Sequence, residues 1–166
     1  MLGTLRTLDD GRIELRFERR LGHPPAKVWR AITEPGELRH WFAQILDYDR
    51  FRFDLRAGAE IAFTPAPEFA DLGTGRGTIT RVDPPRLLEY TWDTETLLWE
   101  LEPQGEAACL LVFTTTFRDR GSAAALGAGW HTGLDLLTRR LDGAAPGPEG
   151  AAVPDELQAA YERGFG

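Results

Sequence analysis

Between Arg12 and Leu21 the chain alternates Ile13, Leu15 and Phe17 with Arg12, Glu14, Arg16 and Glu18. A period of two puts the apolar set on one side, so the segment predicts a strand with one wet face. The pattern then lengthens. In HPPAKVWRAIT, Pro25 suits a first helical turn, and Val28, Trp29 and Ile32 recur at helical spacing. EPGELRHWF restarts a short helix that gathers Leu38, Trp41 and Phe42 on one face. The opening reads strand, helix, helix.

From Phe51 to Phe117 the period returns to two. FRFDL, AEIAFTP, GRGTITRV, RLLEYTW, TLLWELE and ACLLVFTTTF each predict a strand, separated by short turn-forming stretches that favour antiparallel neighbours. With Thr94 and Glu95 at the tip of the DTET turn, Trp92 opposes Leu97, Tyr90 opposes Trp99 and Leu88 opposes Leu101. All six then share one face, and Glu89, Thr91, Glu100 and Glu102 take the other. In the last strand Cys109, Leu111, Phe113 and Thr115 are assigned inward. The period lengthens once more in GSAAALGAGWHTGLDLLTRRL, where Leu126, Trp130, Leu134, Leu137 and Leu141 mark a long amphipathic helix. Gly127, Gly129 and Gly133 weaken that helix by propensity, although small residues permit close approach to a sheet. DGAAPGPEGAA is a linker by composition, and PDELQAAYERGF opens a short terminal helix at Pro154.

Composition narrows the possibilities. The 166 residues are enough for one domain with a sizeable core. A formal charge of -7 argues against nucleic acid, whose binding needs concentrated positive charge. A single cysteine, Cys109, excludes an internal disulfide and a multi-cysteine zinc site, and its apolar surroundings suit a buried small side chain. The first residues lack the apolar core of a signal peptide, no later segment approaches membrane-span length, and the default location is the cytoplasm. No HExxH, GxSxG or phosphate-loop motif occurs, so neither a metal nor a cofactor is called for.

The order of elements defines an α+β plan with one long helix packed across a sheet. HPPAKVWRAITEPGELRHWF, GRGTITRVDPPRLLEYTW and GWHTGLDLLTRRLDG, in this order, resemble the START-like, or birch-pollen-allergen-like, helix-grip superfamily. The nearest branch is named after the activator of the heat-shock protein 90 ATPase. The resemblance covers residues 12 to 143, with residues 144 to 166 left as linker and tail. It implies a curved antiparallel sheet wrapped around a long C-terminal helix, with an apolar cavity between them. The superfamily includes lipid and hormone carriers, aromatic polyketide cyclases, allergens and co-chaperones, so the fold alone selects no activity.

Within that plan Trp41, Tyr90, Trp92, Trp99, Phe113, Trp130, Leu134 and Leu137 are the candidate pocket lining. Such residues suit a flat or apolar ligand, and they suit a filled core equally well. Trp29 is assigned to packing. Of the three histidines, His131 is placed at the surface or the cavity rim, His23 in a turn and His40 on the outside of its helix. Three readings follow: a carrier of a small apolar or aromatic molecule, a cyclase- or hydrolase-like enzyme using Tyr90 or His131, and an interaction module using the outer sheet face or the tail. The last predicts an exposed apolar patch. A symmetric homodimer is compatible with all three.

Overall fold

The fold was obtained as a computed structural model that describes residues 1–144 and 152–166. Two strands, β1 (Thr4–Thr7) and β2 (Ile13–Leu21), form a hairpin, followed by helices α1 (Pro25–Thr33) and α2 (Pro35–Leu38). The chain then reaches β3 (Glu60–Phe63), β4 (Gly75–Asp83), β5 (Leu87–Trp92), β6 (Glu95–Pro103) and β7 (Cys109–Phe117). Helices α3 (Ala123–Leu141) and α4 (Asp155–Phe165) complete it.

The strands make one antiparallel sheet in the order β1-β2-β7-β6-β5-β4-β3. Strands β3 to β7 are a meander, and β7 closes against β2. Helices α1 and α2 and the loop after them therefore carry the chain from β2 to the opposite edge of the sheet. One face of the sheet holds Leu15, Phe17, Leu88, Tyr90, Leu97, Trp99, Leu111 and Phe113, all nearly sealed from solvent. Leu134, Leu137 and Leu141 of α3 complete the core against them.

Inward alternation in β7 matches the assignment of Cys109, Leu111, Phe113 and Thr115, each at most 1% exposed. The β5–β6 register differs from expectation by two residues. Tyr90 pairs with Leu97, Leu88 with Trp99 and Trp92 with Glu95, so the turn is the two-residue Asp93–Thr94. Asp93 adopts φ 51, the left-handed conformation that such hairpins demand and that aspartate tolerates. Its Oδ1 accepts from the Arg76 backbone N–H at 3.0 Å, and its own N–H donates to the Arg76 carbonyl at 2.7 Å. A shift of two preserves parity, so every inward assignment in this hairpin stands.

Two further differences concern the sheet edges. FRFDL forms no strand, although Phe51 is buried and packs on Phe53 and Phe63. Its alternation reports which side faces in, while a ladder also needs a partner, and β3 pairs only with β4 within the sheet. Conversely β1 pairs with β2 despite weak alternation, with only Leu5 partly buried.

The Gly- and Pro-rich linker expected after α3 lies mostly outside the described residues. Helix α4 begins after Pro154, as its sequence predicts, and packs on α3 with Tyr161 fully buried in the core cluster. The Tyr161 hydroxyl accepts from the Gly3 N–H at 2.8 Å. Gly127 permits this packing, because a Cβ there would stand 2.7 Å from the Tyr161 ring.

Candidate functional site

A pocket of about 470 Å³ opens where the β5–β6 turn, the first half of α3 and the segment after α2 converge. Trp41 and Ala43 form one wall, Trp92, Asp93, Thr94 and Glu95 the second, and Ala125, Leu126, Gly129, Trp130 and Gly133 the third. Its volume lies within the range of small-molecule sites, and its lining is mostly apolar. Helical spacing explains the third wall, since 126, 129, 130 and 133 recur at three and four residues along α3. Gly129 has nothing within 4 Å of a built Cβ, so its missing side chain leaves open space.

Of the eight residues proposed from sequence, Trp41, Trp92 and Trp130 line this pocket. Tyr90, Trp99, Phe113, Leu134 and Leu137 lie behind it, each at most 1% exposed. The two groups touch. Trp99 stacks on Phe113 with centroids 4.0 Å apart, and Trp130 and Trp41 meet these rings at 4.6 and 5.5 Å. The pocket wall therefore rests on a second aromatic layer that holds its geometry. Trp41 is fixed further by its indole N–H, which donates to the Ala31 carbonyl at 2.9 Å. Trp92 stacks on Phe63 with centroids 4.0 Å apart and planes nearly parallel.

Tyr90, expected as the inward polar group, is enclosed by protein. Its hydroxyl accepts from the Trp99 indole N–H at 3.2 Å, and burial pushes its pKa upward, so it stays protonated. It has no access to the pocket described above. His131, expected at the surface or rim, lies on another flank of α3. Its ring meets Phe17 edge-on, and its Nδ1 stands 2.8 Å from the Tyr161 hydroxyl. Only 12% of its side chain is exposed. The difference arises from α4, which covers a helix face that the sequence pattern left to solvent. His23 sits at the other end of α3, with Nε2 2.7 Å from Asp142 and Nδ1 3.1 Å from the Lys27 ammonium, which also donates to the Leu141 carbonyl at 2.8 Å.

Glu95 is the functional candidate that the sequence reading missed. In the expected register it occupied the turn tip. In the observed one it begins β6 on the same face as Leu97, Trp99 and Leu101, half-buried on the pocket wall. Burial raises its pKa, and the charge of Asp93 raises it further. The signal available in sequence was parity: counting back by two from Trp99 and Leu97 arrives at Glu95.

Among the described residues no group of three or more His, Cys, Asp or Glu is placed to hold a metal ion. None of their helices is long and apolar enough to cross a membrane. Large exposed apolar side chains among them are Met1, Leu2, Phe69 and Leu72, two short clusters rather than a continuous face.

The profile of the family described as activator of Hsp90 ATPase homolog 1-like protein matches residues 22–142. Solved structures share the fold. A conserved protein of unknown function from Enterococcus faecalis superposes with a TM-score of 0.76 at 24% identity, over 98% of this chain and 90% of the other. CalU16 from Micromonospora echinospora gives a TM-score of 0.73 at 25% identity, over 98% and 95% of the two chains. An AHSA1-like protein from Aeromonas hydrophila gives 0.65 at 21% identity, over 78% and 92%. No curated protein sequence matches this chain.

Proposed function

From the chain's membership in the activator of Hsp90 ATPase homolog 1-like family, whose helix-grip plan it follows, we propose that it is a binding protein for a small apolar or aromatic molecule held between α3 and the β5–β6 hairpin. The single observation that carries this reading is the open pocket of about 470 Å³ walled by Trp41, Trp92 and Trp130. Large rigid aromatic surfaces bind a flat ligand with little loss of side-chain freedom. Tyr90 and His131, the two side chains first considered for proton transfer, lie away from this pocket, which favours binding over turnover. The proposed setting is the cytoplasm.

The experiment is a tryptophan-fluorescence titration with naphthol, preceded by native mass spectrometry to detect a molecule that co-purifies. Saturable quenching is expected, at least about tenfold weaker in Trp130→Ala. The same change at Trp99 acts on the fold instead: truncating this sealed side chain costs about 3–5 kcal/mol of stability. Unaltered naphthol affinity in Trp130→Ala, with the fold intact, would falsify the placement of the ligand.

A further inference from the structure

The pocket's polar groups are all on one side of the charge scale. Two carboxylates, Glu95 and Asp93, line it together with the Thr94 residue, and no lysine, arginine or histidine among the described residues does. Asp93 already uses one oxygen to hold the turn through the Arg76 N–H. Glu95 differs. Half-buried on the pocket wall, its carboxylate is raised in pKa by burial and by the like charge of Asp93, and among the described residues no side-chain donor or cation offsets this. A half-buried carboxylate on an apolar wall is partly desolvated, which raises the cost of its charge.

Resting on the binding reading above, we infer that the ligand is an organic amine: an aromatic or apolar body carried chiefly by the Trp92 and Trp130 indoles, with an ammonium group directed at Glu95. Three features converge on this class. Indole faces attract a cation through their ring quadrupole, so the wall that accepts the apolar body also favours a positive substituent. A carboxylate that lacks a partner gains a charge-assisted hydrogen bond from an ammonium N–H. Asp93 and Glu95 on the pocket wall, in a chain of net charge -7, favour a cation over carboxylate and phosphate ligands. A neutral ligand would leave Glu95 unpaired and further desolvated, and an anionic one would meet two like charges.

The test compares naphthylmethylamine with naphthylmethanol, which share the ring system and differ in the charged group. Affinities are measured by calorimetry at neutral pH for the native chain, Glu95→Gln and Glu100→Gln. Glu100 stands on the opposite, solvent-facing side of the same strand, so its variant controls for net charge. The amine is expected to bind at least about tenfold more tightly than the alcohol, a preference that survives in Glu100→Gln and collapses in Glu95→Gln. If both probes bind the native chain equally, the amine inference is overturned and the binding reading stands. A preference retained in Glu95→Gln removes that residue's role. If neither probe binds, both readings fall together.

Discussion

Thr115 stands on the inward face of β7 with 0% exposure, and its hydroxyl has no hydrogen-bond partner among the described residues. An unbonded buried hydroxyl carries its full desolvation cost, whereas a methyl of the same shape carries none. Thr115→Val is therefore expected to raise stability by about 1 kcal/mol, read as a higher urea midpoint at unchanged m-value. A lower midpoint would mean that the hydroxyl is bonded after all. At this scale the sequence was informative about direction and silent about depth. Trp92 and Trp99 share one face, yet Trp92 flanks the turn and borders the pocket while Trp99 is sealed behind it. Alternation assigns a side. Only the place along the strand, and what closes over it, separates a wall from a core.

Elements show the same division. The β5–β6 hairpin kept its inward face through a two-residue change of register, because parity survives such a shift, while Glu95 moved from tip to wall. Sequence pattern gave α3 its length and the buried Leu134, Leu137 and Leu141, whereas Leu126 and Trp130 of the same stripe stand on the pocket wall, and it treated the three glycines alike. Their surroundings differ. Gly127 faces Tyr161 at a distance no Cβ can share, and Gly129 faces the open pocket. Gly129→Ala is expected to stabilise by about 0.5–1 kcal/mol through helix propensity alone. Gly127→Ala should instead lower stability by dislodging α4. Thermal unfolding of both variants checks the pair, and a common sign would contradict this account. The strand expected at FRFDL and the missed β1 have one cause. Periodicity reads burial, and strand pairing depends on a neighbour often far along the sequence, which no single segment reveals.

Across the whole molecule, the packing of α4 makes stability depend on pH. The Tyr161 hydroxyl accepts from Gly3 and stands within hydrogen-bond reach of His131 Nδ1, an arrangement that suits the neutral imidazole. Burial holds the His131 pKa below its ordinary value of 6.5; Asp135 opposes the shift, and Arg19 and the N-terminal amine reinforce it. The native state thus binds fewer protons than the unfolded chain. This contribution is full above the ordinary value and is lost as pH falls through the lowered one. The urea midpoint is expected to decline as pH falls below about 6.5, and less steeply in His131→Gln. Identical slopes would remove His131 from the account.

The Gly3–Tyr161 hydrogen bond has one more consequence, for chain connectivity. It spans 158 residues and brings the first hairpin and the last helix together. That contact closes the described chain on itself between Gly3 and Tyr161. Joining residues 166 and 1 through a short flexible bridge, and opening the chain at the exposed Gly105 turn between β6 and β7, would preserve every strand neighbour. In such a circular permutant the pocket walls from the β5–β6 turn and from α3 would become parts of opposite ends of the sequence. They would have to meet without the direct β6-to-β7 connection.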